Sequence, residues 1–411
     1  METGRFASAV VTCFKDKRCQ RRLIGHQART FDFQFHGSED CAVSASEDGT
    51  GRVWDLDSSK CIATLKGHTA EVLRASWAPP DIEWGTTLAT GSADGTVRLW
   101  GVSQGSSGMT GVGKYRKLKC VGQLSHKGSG LDGQVYSCQF IPSSIQGVNG
   151  IPQVSLLTAS DSSVHLWDVT TQKRLVQYQL KKIGENSIGG GRNPSDLPFV
   201  FDTKIGKGGM LAIALSDGTV RVDDLRCGGI SSTTEHQVVL QAASETHLTG
   251  LCWSADGNSM VSCAGDGTIN IWDVRTWMTR AVLHGHTRPV YGAAFFPTCD
   301  HRLQQDGGQE SGLSARQPVD RPSLLLSWST DGTILAWDWA SAIGLVECPL
   351  GVMQTEGLCI YHCSISTDGT KLAIAGGTDT PSAFIGMPVR LCDLSGVFWR
   401  KNGSVQAISG K

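Results

Sequence analysis

SASEDGTGRVWDL, residues 44–56, decides the fold, because the chain repeats it. TGSADGTVRLWGV (90–102), TASDSSVHLWDV (158–169), ALSDGTVRVDDL (214–225), SCAGDGTINIWDV (262–274) and SWSTDGTILAWDW (327–339) are versions of the same stretch. In each, the turn aspartate and the motif-closing residue lie six positions apart: Asp48 and Trp54, Asp94 and Trp100, Asp161 and Trp167, Asp217 and Asp223, Asp266 and Trp272, Asp331 and Trp337. The 158–169 copy keeps that spacing but is one residue shorter upstream. A looser seventh copy, AGGTDTPSAFIGMPVRLCDL, reaches Cys392 and Asp393 through an inserted loop. A recurring unit of this size implies a repeat architecture.

Each copy has the physics of a β-hairpin, two β-rich runs joined by a tight turn that reads Asp-Gly-Thr in five of the six copies and Asp-Ser-Ser in the 158–169 copy. Asp-Gly supplies the positive φ of a tight hairpin turn at low steric cost. Flanking runs such as PSLLLSWS and QVSLLTAS are apolar or small at both alternating positions, as in a strand covered on two faces. Further strand-like runs recur in phase before the hairpins, among them VLRASWAP, VYSCQFIP, PFVFDT and VYGAAFFP, and after them, as in KCIATLKGH and RAVLHGH. Four strands per unit emerge. Gly-His pairs at Gly25-His26, Gly67-His68 and Gly285-His286 precede the first strand of a unit. Radially stacked antiparallel sheets would cover both faces of such strands and leave no long open edge. Composition agrees: 50 of 411 residues are glycine, well above the usual share of roughly 7%, which fits many short strands and tight turns.

These hairpins and Gly-His pairs resemble the WD-repeat family over nearly the whole chain. The resemblance implies an all-β fold, a seven-bladed β-propeller of four-stranded antiparallel blades, as a single domain over residues 1–411. The blades are expected near 26–66, 67–125, 126–182, 195–242, 244–285, 286–350 and 355–394. The family period is roughly 40–45 residues, so the surplus length should form polar insertions. Those at 101–117, 142–153 and 297–322 follow first or third strands and gather on one face, and those at 127–133, 181–197 and 377–388 on the other. Ring closure has two candidates. RCQRRLIGH (18–26) contains a fourth strand, 18–25, with no unit before it, while the tail VFWRKNGSVQAISGK competes for the same place.

His26, Ser44 and Asp48 have the residue types of a hydrolase triad. So do later blades. His26, Ser44, Asp48 and Trp54 recur as His68, Thr90, Asp94 and Trp100, again as His286, Ser327, Asp331 and Trp337, and less regularly as His126, Thr158, Asp161 and Trp167. An active site needs one constellation beside one pocket, whereas in-phase copies indicate something every blade needs. The resemblance implies a structural tetrad in which Asp accepts from His, His contacts the hydroxyl, and the hydroxyl meets the Trp indole N–H. Hydrolase chemistry is the weaker alternative. Blades four and five depart from the pattern, with Asp223 at the Trp position in one and Ser244 near the expected His in the other.

Asp224-Leu225-Arg226 and Asp273-Val274-Arg275 both place an Asp-x-Arg at the exit of a third strand. In the resemblance family this element is similar to the one by which substrate receptors dock on the adaptor of cullin-RING ubiquitin ligases. Its alternative is an ion pair within each blade. No catalytic, cofactor-binding or metal-ligating residues are assigned, and no cofactor is expected. The fourteen cysteines are scattered, without a Cys-x-x-Cys pair, and read as buried small hydrophobes rather than a disulfide framework. In GLCIYHCSIS, strand alternation would send Cys359 and Cys363 to one face and His362 to the other, away from a common metal. With 37 basic against 38 acidic residues, nothing draws the whole chain to nucleic acid or anionic membrane. Apolar runs fall far short of the ~18 residues of a membrane span, and the start of the chain is too polar for a secretory signal. The expectation is an intracellular scaffold, cytoplasmic or nuclear, whose partners are other proteins or peptides.

Overall fold

The computed structural model describes residues 21–38, 40–79, 86–102, 115, 117–126, 133–142, 145, 155–180, 197–226, 238–244, 246–297, 323–355, 357–378, 389–394, 399–401 and 404–406. Its sheets form a ring of seven blades, each an antiparallel four-stranded unit whose strands are lettered a to d outward from a central channel. Blade 1 comprises Thr30–Phe35, Cys41–Ser46, Gly51–Asp55 and Lys60–Leu65. Blade 2 comprises Val72–Trp77, Thr86–Ser92, Thr96–Val102 and Leu118–Ser125. Blade 3 comprises Val135–Phe140, Ser155–Ser160, Ser163–Asp168 and Lys173–Gln179. Blade 4 comprises Val200–Ile205, Met210–Leu215, Thr219–Asp224 and Val238–Gln241. Blade 5 comprises Leu248–Trp253, Ser259–Ala264, Ile269–Asp273 and Met278–Leu283. Blade 6 comprises Val290–Phe295, Leu324–Ser329, Thr333–Asp338 and Gly351–Gln354. Blade 7 comprises Cys359–Ile365, Lys371–Gly377, Val389–Asp393 and, from the other end of the chain, Arg21–Leu23.

Apolar patterning on both faces of the inner strands has a direct structural cause, since the core lies between blades. Seven buried clusters each join the facing sheets of two neighbours. Trp54, for example, packs with Phe33 of its own blade and with Leu23, Ala373 and Leu391 of blade 7. The Asp-Gly turns behave as their chemistry dictates. Gly49 takes φ +75°, and Asp48 Oδ1 accepts from both the N–H and the hydroxyl of Thr50, so the carboxylate fixes the turn that follows it. Arg21 lies opposite Leu391 and Leu23 opposite Val389, which ties the start of the chain to the last unit. The tail strands Trp399–Lys401 and Ser404–Gln406 pair with each other instead.

Three features depart from the expectations. Blade 6 runs past residue 350: after strand c, Gly344–Val346 first adds as a parallel fifth strand to the outer edge of blade 5, and Gly351–Gln354 then supplies strand d. Burial drives the detour, because Ala342 joins the core between blades 5 and 6 while Met353 joins that between blades 6 and 7. Blade 3 has a two-residue b–c turn with Ser160 paired to Ser163, and Asp161 itself takes φ +48° where longer turns use glycine. Cys392 is disulfide-bonded, against the expectation for the cysteines; the nine other described cysteines are thiols outside any disulfide.

Candidate functional site

The tetrads are the first arrangement to assess, since their residues have catalytic types. In blade 1 the carboxylate of Asp48 accepts from His26 Nδ1 at 2.8 Å, His26 Nε2 accepts from the Ser44 hydroxyl at 2.7 Å, and Ser44 Oγ accepts the Trp54 indole N–H at 2.8 Å. His68, Asp94, Thr90 and Trp100 repeat this at 2.9, 2.8 and 2.9 Å. His286, Asp331, Ser327 and Trp337 do so at 3.0, 2.8 and 2.9 Å. Burial lowers the pKa of His26 against the opposing effect of Asp48, so the imidazole is neutral and its one N–H is directed to the carboxylate. Burial pushes Asp48 the other way, but bonds from His26, Thr50 and the Gln27 N–H hold its carboxyl well below the usual range. Ser44, Thr90 and Ser327 are completely buried. A nucleophile must reach its substrate; these hydroxyls reach only the two side chains they join.

The incomplete tetrads have local causes. In blade 3 Thr158 joins His126 and Trp167, but the shortened turn carries Asp161 to the Gly133 N–H. His126 instead stacks on His165, with ring centroids 4.4 Å apart. In blade 5 Trp272 still donates to Ser262, and Ser244 bonds Asp266 where a histidine would stand. Blade 4 has a buried Asp223 in place of the tryptophan, across from Leu211.

The Asp-x-Arg motifs end in different arrangements. Arg226 grips Asp224 in a two-pronged ion pair, Nε to Oδ1 at 3.0 Å and Nη2 to Oδ2 at 2.8 Å. Arg275 is exposed; its backbone N–H is capped by Asp273 Oδ1 at 2.9 Å, and its guanidinium forms no ion pair among the described residues.

The channel holds functional positions that the motif reading missed. Strand a of every blade contains a bulge, and the residue after it faces the axis: Asp32, Arg74, Ser137, Asp202, Gly250, Gly292 and His362 in blades 1 to 7. Two of them latch neighbouring blades. Asp32 accepts from its own Phe33 N–H at 2.9 Å and from the Ala75 N–H of blade 2 at 2.9 Å. Asp202 accepts from Thr203 at 2.9 Å and from Leu251 of blade 5 at 3.1 Å. Beside each latch a tryptophan donates backward, Trp77 to the Gln34 carbonyl and Trp253 to that of Lys204. The available signal was the in-phase set of triplets FDF, LRA, YSC, FDT, TGL, YGA and YHC, whose middle letters change chemistry from blade to blade.

The bulge also alters the Cys359, His362 and Cys363 reading. Both cysteines are buried, and His362 faces the channel with Nε2 3.4 Å from Asp32 Oδ1. Burial depresses its pKa to about 4, against the raising effect of Asp32, so it is neutral at pH 7. Among the described residues, His36, Asp40 and Cys41 do bring ligand-type atoms within 4.8 Å of one another. Hydrogen bonding links two of the three: the Ser38 hydroxyl bonds His36 Nδ1 and donates to Asp40 Oδ1, while His36 Nε2 meets the Tyr115 hydroxyl.

With this geometry in hand, comparison with known proteins gives a consistent result. The family profile described as "WD domain, G-beta repeat" matches residues 17–55, 59–101, 118–168 and 235–273. The guanine nucleotide-binding protein subunit beta of Oryza sativa subsp. indica is 26% identical over 364 residues, covering 87% of this chain and 80% of that protein. Nuclear distribution protein PAC1 of Coccidioides posadasii is 28% identical over 334 residues, covering 77% and 58%. Mitochondrial division protein 1 of Neurospora crassa is 28% identical over 279 residues, covering 66% and 36%.

Proposed function

Because this chain is a WD-repeat propeller of seven blades, we propose that it acts as a non-enzymatic scaffold, binding other proteins or peptides and holding them together in multiprotein complexes. One observation carries the reading: the hydroxyls in the repeated Ser/Thr, His and Asp sets are sealed between blades, where they brace the ring. The part of such a molecule free to do work is its loop-lined surface, and rigid scaffolds present binding residues on loops. The rice relative is by name a subunit, which agrees with a role in assembly. No helix among the described residues is long and apolar enough to cross a membrane. An intracellular setting, cytoplasmic or nuclear, goes with this proposal.

Affinity purification with crosslinking mass spectrometry tests it. We expect co-purifying proteins crosslinked to the insertions at 101–117, 142–153 and 297–322, which lie mostly outside the described residues. A hydrolase signal in activity profiling, lost on Ser44→Ala with the fold intact, would overturn it.

The guanidinium of Arg275, which forms no ion pair among the described residues, favours a second reading, docking on a ubiquitin-ligase adaptor. Arg226 already satisfies its charge on Asp224, so Arg275→Ala should account for most of the adaptor lost by the Arg226→Ala, Arg275→Ala double variant in a pull-down. Full recovery by the double variant removes this reading and leaves the scaffold standing.

A further inference from the structure

The post-bulge positions of strand a are charged on one side of the channel and lack a side chain on the other. At the position after the bulge, blades 1, 2 and 4 place Asp32, Arg74 and Asp202, whereas blades 5 and 6 place Gly250 and Gly292. Packing enforces the bare side. Opposite the axis-facing residue, strand b has Ala45, Gly91, Ala159, Ala214, Cys263 and Ala375 in six blades but Trp328 in blade 6. Large and small residues have exchanged strands there, and a Cβ on Gly292 would lie 2.5 Å from Trp328 Cζ2. A Cβ on Gly250 would lie 2.7 Å from the Tyr291 carbonyl oxygen. Blade 6 thereby fills the space behind Gly292 with the Trp328 indole and leaves the post-bulge position of its channel wall without a side chain. The resulting cavity measures about 830 Å³, within the ~300–1,000 Å³ range of small-molecule sites.

The charges opposite that wall are unequally satisfied. Asp32 is held by two backbone N–H groups and His362, and Asp202 by two N–H groups and Lys204 Nζ at 3.9 Å. Arg74 differs. Its Nη1 donates to the adjacent Leu73 carbonyl at 3.1 Å, and no carboxylate lies within 4.0 Å of its guanidinium among the described residues. A guanidinium has five N–H donors in a fork that suits an oxyanion. The amides of Gln34 and Gln139 also line the cavity and make no side-chain hydrogen bond among the described residues. In a seven-membered ring, blade 2 stands across from blades 5 and 6. The Arg74 position therefore lies across the channel from Gly250 and Gly292.

We propose that the channel binds a small oxyanion with a flat apolar body, its carboxylate or phosphate on Arg74 and its body against the Gly250–Gly292 wall. The site is separate from the protein-binding surface, so its failure leaves the scaffold reading untouched. Calorimetric titration of the full chain with phenyl phosphate and with phenylacetate tests the proposal and distinguishes the two anions. The wild type should bind at least one probe. Arg74→Gln should weaken it about tenfold or more, as expected for a lost charge-assisted fork, while the melting temperature of the unliganded variant does not fall. Ala294→Leu, which narrows the same wall without altering charge, should weaken binding independently and keeps the test informative if Arg74→Gln fails to fold. Binding of phenyl phosphate alone assigns a phosphate guest, and binding of phenylacetate alone a carboxylate. Binding of neither, or equal affinity in the wild type and both variants, overturns the proposal.

Discussion

Ser44 shows what a single buried hydroxyl does in this ring. Ser44→Ala would strand two buried partners, His26 Nε2 and Trp54 Nε1; at ~1–3 kcal/mol per unsatisfied group, the loss should be about 2–5 kcal/mol. Ser262→Ala in blade 5 strands only Trp272 and should cost about half as much. Urea unfolding of the two variants checks the ratio, and equal losses would remove the shared role given to Ser44. Acid acts through His165 in the same direction. Burial, then Arg174, lowers His165 to about 4, below its ordinary value near 6.5. The unfolded chain therefore takes up a proton that the folded chain refuses, so stability present above pH 6.5 is lost as pH falls toward 4, by on the order of 3 kcal/mol. Denaturation midpoints measured from pH 7 to 4 should fall less steeply in His165→Asn. The tetrads were legible in the sequence because their residue types recur at fixed spacing. The His126–His165 stack was not, since it depends on a turn one residue shorter that withdraws Asp161.

Strands show a similar division. Five b–c hairpins could be located from Asp-Gly chemistry and the sixth, at 158–169, from its repeat spacing, and every one of the six quoted copies forms that pair of strands. Closure could not be decided, because two segments had the pattern of an outer strand. Only pairing with Val389–Asp393 selects Arg21–Leu23, which places Leu23 in the core between blades 7 and 1. Leu23→Ala should cost about 2–4 kcal/mol, with faster amide hydrogen exchange concentrated in blades 7 and 1. Exchange raised uniformly around the ring would argue that closure does not depend on this strand. Blade 6 offers a test of paired strands. Gly292→Ala should destabilise by roughly 1–3 kcal/mol through overpacking on Trp328, and Trp328→Ala in the same chain should relieve that increment.

At the scale of the whole molecule, the ring depends on contacts that cross blades. Asp32 and Asp202 each fasten their blade to the next through a backbone N–H, and the two latches stand three blades apart. Asp32→Ala should loosen the interface between blades 1 and 2 while leaving that between blades 4 and 5 intact, a local change that hydrogen exchange resolves. Blade number, the four-stranded unit and the tetrads followed from sequence alone, because hairpin turns and alternating burial are local properties repeated in register. Which terminus completes the last blade, which residues face the axis and which of their charges go unpaired were decided by tertiary structure. Each depends on what a neighbouring blade places opposite a residue, and the nearest partner in space lies tens or hundreds of residues away in the chain.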